Sequence, residues 1–121
     1  MENKKKRLKS LTRRADFLNL RAEGQSFHVN SWLLVNYQKT ETDLIRCGWT
    51  IPRQVGPAVV RNRLRRWGRE YLRKWSNETT ASLDMNLVFK RQAPGFYREI
   101  DHKEFDGAME KLASRLKRYS R

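Results

Sequence analysis

The stretch between Pro57 and Trp75 constrains the fold more than any other part of this sequence. Its apolar residues recur at the spacing of an α-helix, which advances about 100° per residue. A proline is favoured in the first helical turn, where its missing N–H costs no hydrogen bond. The pattern predicts an amphipathic helix from about Pro57 to Trp75, with one apolar stripe directed into a core. The stripe consists of Val60, Leu64, Trp67, Tyr71 and Trp75.

The other side of this helix is strongly cationic. Between Arg61 and Lys74 there are seven basic residues and one acidic residue, and six of the seven are arginine. A solvated helix face normally mixes charges, because like charges four residues apart are destabilising. Arginine also presents a planar fork that suits phosphate. A nucleic-acid surface is therefore favoured over a merely solvated face. Its members are Asn62, Arg65, Arg66, Arg69 and Arg73, with Arg61 and Arg63 at the borders.

The net charge of the chain also indicates an anionic partner. Its 121 residues include 27 Lys and Arg against 13 Asp and Glu, which gives a formal net charge of +14. Such a potential attracts nucleic acid or an anionic membrane surface. No window approaches the roughly 18 apolar residues of a membrane span. Because the apolar stripe is needed for the core, membrane binding is only a minor alternative.

No catalytic or metal-binding constellation is visible in the sequence. The single cysteine, Cys47, can form neither an internal disulfide nor a zinc site alone, so a reducing, cytoplasmic location is expected. His28 and His102 are not spaced as metal ligands. Asp84 and Asp101 each lack a carboxylate companion nearby in sequence. A nuclease that works through its own residues is therefore not predicted.

The remaining patterns predict one small α+β domain over residues 11–121, preceded by a flexible basic arm over residues 1–10. We expect a two-layer sandwich with a small, mostly antiparallel sheet and three helices. The first expected element is a helix from Thr12 to about Glu23, and a final helix begins with a capping box at Asp101 and Glu104. Strand-forming residues run from Ser26 to Gln38, and a hairpin connection at 39–43 leads to a partner strand at Leu44–Ile51. A further short strand is expected at Asn86–Phe89.

The segment from Val55 to Glu70 resembles the signature of the bacterial ribonuclease P protein component. It combines a glycine, a small apolar pair, Arg-Asn-Arg, two further basic residues and a later Arg-Glu. The likeness extends over about residues 8–118. It implies a left-handed strand–helix–strand crossover, in the fold described as ribosomal protein S5 domain 2-like. It also implies an accessory subunit with no catalytic residues of its own and no bound cofactor, because the ribonuclease P RNA performs the hydrolysis with Mg²⁺.

The resemblance implies two RNA partners and no DNA partner. Ribonuclease P RNA would bind through the helix residues Arg61, Asn62, Arg63, Arg65, Arg66, Arg69 and Arg73. The single-stranded 5′ leader of precursor tRNA would bind in a cleft between the first helix and the sheet, through Phe17, Arg21, Tyr37, Arg53 and Arg91. A strand aromatic of that cleft aligns near Asn36 or Tyr37, and family members often carry a second aromatic at the position of Arg21. The alternative from another class is a structural ribosomal RNA-binding protein, and a basic DNA-binding protein is the third.

Overall fold

A five-stranded sheet carries helices on both of its faces in a computed structural model that describes residues 7–120. Short 3₁₀ turns at Arg53–Val55 and Lys117–Tyr119 complete the chain. In chain order the elements are β1 (Leu8–Ser10), α1 (Arg14–Glu23), β2 (Gln25–His28), β3 (Leu33–Lys39), β4 (Ile45–Thr50), α2 (Ala58–Glu78), β5 (Leu83–Phe89), α3 (Phe96–Glu99) and α4 (His102–Leu116).

The strand order is β1-β4-β5-β3-β2, which differs from the expected pairing. β4 pairs in parallel with both β1 and β5, whereas β3 is antiparallel to β5 and to β2. The sheet is therefore mixed, and the prediction of a mostly antiparallel sheet is wrong. The predicted hairpin between β3 and β4 is also wrong, because β5 lies between these two strands and pairs with each of them.

Helices α2 and α4 form the layer over one face of the sheet, as the two-layer prediction requires. Alternate residues of the strands point into this layer, so that Leu83, Met85 and Leu87 of β5 are fully buried. The final helix begins as predicted, with the side chain of Asp101 accepting a hydrogen bond of 2.8 Å from the N–H of Glu104. The shorter α1 covers part of the opposite face.

The chain enters the domain earlier than predicted. Leu8–Ser10 forms a strand rather than the end of a flexible arm, because the edge of β4 leaves its backbone groups free to pair. The Arg7 guanidinium donates hydrogen bonds to the carbonyl of Ser76, at 2.9 Å, and to the carbonyls of Thr79 and Ala81. These carbonyls lie at and just beyond the end of α2. Residues 1–6 of the predicted arm lie outside the described residues.

Helix α2 joins the parallel strands β4 and β5, and the left hand of this crossover stays a prediction. The helix runs three residues beyond the predicted end at Trp75. Its fully buried line differs from the predicted stripe, because Trp67, Tyr71 and Trp75 are half-buried at its edge. Gly68 lies on the buried line because the Trp49 ring packs there, where a β-carbon would overlap it. The buried line consists of Val60, Leu64, Gly68, Leu72 and Ser76.

Candidate nucleic-acid interface

The outer side of α2 presents a surface of arginine side chains directed away from the core. We call Arg65, Arg66, Arg69 and Arg73 the cationic face. Arg65 donates a hydrogen bond of 2.9 Å to the side-chain oxygen of Asn62, and Arg66 lies 3.7 Å from Glu70. Both side chains of the second pair are mostly exposed, so this ion pair is weak. Within residues 7–120, Arg69 and Arg73 form no ion pair or side-chain hydrogen bond.

The two arginines at the borders of this helix are bound within the protein. Arg61 donates through Nε to the carbonyl of Gly56 at 3.1 Å. Arg63 donates to the carbonyl of Tyr97 at 2.7 Å, and its guanidinium carbon lies 4.9 Å from the centre of the Trp67 ring. Arg63 therefore fixes α3 against α2. The arginines of α2 that do not donate to main-chain carbonyls are those of the cationic face, and Lys74 of the same helix is also exposed.

A second surface lies on the opposite face of the sheet, beside α1. Helix α1 packs on β3 and β5, and Asn19 donates a hydrogen bond of 3.0 Å to Gln38 near the end of β3. The Phe17 ring lies directly over Gly48, where a β-carbon would overlap it. The carboxyl end of β4, with Thr50 exposed, is left uncovered. We call the space between α1 and this uncovered part of the sheet the α1 cleft.

The floor of the α1 cleft is polar and internally hydrogen-bonded. Thr50 and Asn86 exchange side-chain hydrogen bonds of 3.1 and 2.9 Å across β4 and β5. Asn36 of β3 is the register partner of Asn86, so its side chain emerges on the same face. Asn36 accepts a hydrogen bond of 2.8 Å from Ser26. The arrangement offers amide and hydroxyl groups next to the aromatic ring of Phe17.

An arginine–aspartate pair within the sheet lies next to α1. Arg46 of β4 makes a bidentate contact with Asp84 of β5, at 2.8 Å from Nε and 2.5 Å from Nη2. Arg46 also lies 3.8 Å from Asp16 of α1. The hydrogen bonds to Asp84 raise the pKa of Arg46 above its ordinary value. Because Asp84 is only 8% exposed, this pair forms a largely dehydrated support for the helix that carries Phe17.

The family model for ribonuclease P matches residues 4–117 of this chain. The chain belongs to the ribonuclease P protein family. Family membership makes it a subunit of the ribonuclease complex that processes the 5′ end of tRNA.

Similar proteins cover nearly the whole chain. The ribonuclease P protein component of Thermotoga petrophila is 32% identical over 112 residues, which are 93% of this chain and 92% of that protein. The component from Chloroflexus aurantiacus is 38% identical over 84 residues, which are 69% of this chain and 60% of that protein.

Solved structures of the ribonuclease P family share the fold. The RNase P protein from Thermotoga maritima has a TM-score of 0.73 and 31% identity, and the match covers 91% of this chain and 96% of that one. The Staphylococcus aureus RNase P protein has a TM-score of 0.78 at 20% identity, with coverage of 92% and 97%, and shows the similarity of fold alone.

The leader-binding residues that the ribonuclease P resemblance implied do not all lie on the same face of the sheet. Tyr37 is wrong as a member of the cleft, because it is 1% exposed and its side chain points to the α4 side, where its hydroxyl donates to Gln25. Arg21 is exposed on α1, one helical turn after Phe17. Arg53 and Arg91 are exposed shortly after β4 and β5, whose carboxyl ends lie at one edge of the sheet because these strands are parallel.

Sequence reasoning gave Asn36 only as an alternative to Tyr37, and it missed Thr50 and Asn86 of the cleft floor. Asn36, Thr50 and Asn86 face the same side of the sheet as Gly48, and a strand directs every second side chain to one face. The strand order was needed to combine these residues. Alternation along each strand is the signal that would have found them, once β5 is known to lie between β3 and β4.

From Arg7 to Ser120, no three His, Cys, Asp or Glu residues lie close enough together to hold a metal ion. No helix in that range has the length and apolar character of a membrane span. Burial raises the pKa of the Cys47 thiol well above its ordinary value and outweighs the opposing charge of Arg69.

Proposed function

We propose that this subunit binds ribonuclease P RNA through the cationic face of α2 and the 5′ leader of precursor tRNA in the α1 cleft. The single observation that carries the proposal is the presentation of four arginines along one exposed side of a rigid helix, with Glu70 as their one nearby acid. Each phosphate neutralised by such a face releases condensed counterions. A structured RNA is the ligand that this surface fits best.

The α1 cleft fits a single strand of variable sequence. Leader sequences differ between tRNA precursors, so the surface has to bind them without reading base edges. Aromatic stacking and backbone contacts can bind strands of different base sequence in this way. Phe17 supplies the aromatic surface, and Arg21, Arg53 and Arg91 supply exposed cations around it. Asn36 replaces Tyr37 as the β3 residue that we assign to the cleft.

The two surfaces lie on opposite faces of the sheet. In β4, Cys47 and Trp49 face α2 whereas Gly48 and Thr50 face α1. Ribonuclease P RNA and a leader can therefore occupy the protein at the same time. We assign the catalytic Mg²⁺ to the RNA and none to the protein, and the complex to the cytoplasm, without a DNA or membrane partner.

Reconstitution tests this proposal. Adding the protein to cognate ribonuclease P RNA at low Mg²⁺ is expected to stimulate cleavage of precursor tRNA at the mature 5′ end. The double variant Arg65→Glu with Arg69→Glu should weaken binding to ribonuclease P RNA by about 100-fold or more, because each reversal replaces a phosphate contact with a repulsion. The melting temperature should stay within a few degrees of the wild type, because both residues lie outside the core.

A charge-matched control is available on α4. Lys103→Glu with Lys111→Glu makes the same change in net charge at two exposed positions away from the cationic face. This control should bind ribonuclease P RNA within about threefold of the wild type. Equal losses of affinity in both double variants would mean that overall net charge, and not the position of the arginines on α2, determines RNA binding. No stimulation of cleavage at any protein-to-RNA ratio would overturn the proposed function.

A further inference from the structure

A groove separates the second half of α2 from the edge of the sheet. Its volume is about 560 Å³, within the range of sites that hold small organic ligands. Cys47 and Trp49 of β4 form its floor, Ser10 of β1 lies on one wall, and α2 forms the other wall. This groove is separate from the α1 cleft, because Gly48 and Thr50 alternate with its floor residues and face the other side of the sheet.

The groove is lined by cations without a balancing acid. Arg69 and Arg73 of the cationic face extend along its wall, Arg7 lies at its end, and no carboxylate belongs to its lining. The Arg7 guanidinium is already bound to the carbonyls at the end of α2. Arg69 and Arg73 lack such partners within the described chain, and with the exposed Lys9 of β1 they are the cations available to a ligand. An anionic group is the chemistry they favour.

The floor adds an aromatic surface at a fixed position. The outer edge of the Trp49 indole packs against the backbone of α2 at Gly68, while the residue stays half-buried and lines the groove. Asn77, at the end of α2, also belongs to the lining and is exposed farther along the groove. The groove therefore combines arginines for a phosphate with an indole for a base. These are the elements of nucleotide recognition in unpaired RNA.

We propose that this groove receives one unpaired nucleotide of the ribonuclease P RNA, with its phosphate at Arg69 and Arg73 and its base against Trp49. The inference rests on the proposed RNA-binding function and adds a specific subsite to it. The RNA on the cationic face is the source of this nucleotide, because Arg69 and Arg73 belong to both surfaces. The leader of precursor tRNA is assigned to the α1 cleft, on the opposite face of the sheet from this groove.

Carboxylates introduced into the groove test the subsite apart from the cationic face. Ser10→Asp and Asn77→Asp each place a negative charge in the groove wall at an exposed position. Each is expected to weaken binding to ribonuclease P RNA by about 10-fold in direct binding measurements. The matched control Ser114→Asp makes the same change on the exposed surface of α4, and should bind within twofold of the wild type. Melting temperatures check that all three variants fold.

The outcomes separate the subsite from the proposed function. If Arg65→Glu with Arg69→Glu abolishes RNA binding while both groove variants bind within twofold of the wild type, the subsite is wrong and the cationic face stands. If the wild-type protein fails to bind ribonuclease P RNA, both inferences fail together.

Cross-linking gives a second readout that does not depend on affinity. Asn77→Cys offers an exposed thiol for an aryl azide reagent, whereas Cys47 is only 3% exposed and stays unlabelled. Irradiation of the labelled protein in the holoenzyme with precursor tRNA should cross-link it to an unpaired nucleotide of the ribonuclease P RNA. A cross-link confined to the leader, or to base-paired RNA, would overturn the proposal.

Discussion

The two faces of the sheet are made by the same strands but have different physical properties. Toward α2 and α4, β5 directs Leu83, Met85 and Leu87 into a dry core. Toward α1, the same strand directs Asp84 and Asn86 to polar partners on β4. Alternate residues of one strand thus supply the apolar core on one face and the polar support of the α1 cleft on the other. A substitution should affect mainly one of these properties, according to the face on which its side chain lies.

The largest stability effect is expected on the core face. Phe105 of α4 is fully buried and packs near the rings of Trp32, Trp67 and Phe89. Phe105→Ala should lower the free energy of unfolding by about 4 kcal/mol, through lost burial and the cavity it leaves. Denaturant unfolding measures this loss. A cost below about 1.5 kcal/mol would contradict the description of this face as the tightly packed one.

Removal of the buried charge on the α1 face should have a smaller effect. Asp84→Asn leaves the Arg46 guanidinium with only the more distant Asp16 at 3.8 Å, and should cost about 2–3 kcal/mol of unfolding free energy. Asp16→Asn is the control, because its partly exposed contact with Arg46 should contribute at most about 0.5 kcal/mol. Equal losses in the two variants would mean that Asp84 has no special role in supporting α1.

The core face should also show a dependence on alkaline pH. Burial raises the pKa of the Cys47 thiol above its unfolded value of 9.0, so the native protein keeps a proton that the unfolded chain releases. This contribution is complete below pH 9 and is lost as the pH rises above it. Between pH 7 and pH 10 the wild type should lose more stability than Cys47→Ala, by on the order of 1 kcal/mol. Parallel pH profiles would show that the thiol titrates normally in the native protein.

A substitution at Phe17 should change leader binding more than it changes stability. Phe17→Ala should cost about 1 kcal/mol of unfolding free energy, because its ring is only half-buried over Gly48. Precursor tRNA with a long leader should bind the holoenzyme about 10-fold more weakly, whereas a precursor with a one-nucleotide leader should be unaffected. Leu18→Ala, at a neighbouring position that is 52% exposed, is the control. Equal losses for long and short leaders would identify Phe17 as a packing residue.

Local patterns predicted the three longer helices well, whereas the four-residue α3 at Phe96–Glu99 was not predicted. The spacing from Val60 to Trp75 identified α2 and the side on which its cations lie, and Asp101 begins α4 as its capping box indicated. The buried line of α2 was displaced from the predicted aromatic stripe for a non-local reason. The indole of Trp49 occupies the position that a side chain at Gly68 would take. No pattern within α2 reveals a ring contributed by another strand.

The site was predicted less completely because it depends on pairing between distant strands. Arg46 and Asp84 are 38 residues apart and meet only because β4 and β5 are neighbours in register. Tyr37 and Asn36 are adjacent in sequence, and only the register with β5 decides which of them faces α1. Arg63 lies among the arginines of the motif, yet the position of α3 directs its guanidinium to the carbonyl of Tyr97.

The central position of β5 has a consequence for biosynthesis. β3 and β4 do not pair with each other. Each of them pairs with β5, which is translated after both. Until Phe89 has left the ribosome, the nascent chain can form only the β2–β3 hairpin and the β1–β4 pair, each with an open edge that can pair with other chains. A chain interrupted at Glu78 contains four of the five strands but no continuous sheet. Completion of the sheet is therefore a late event in synthesis.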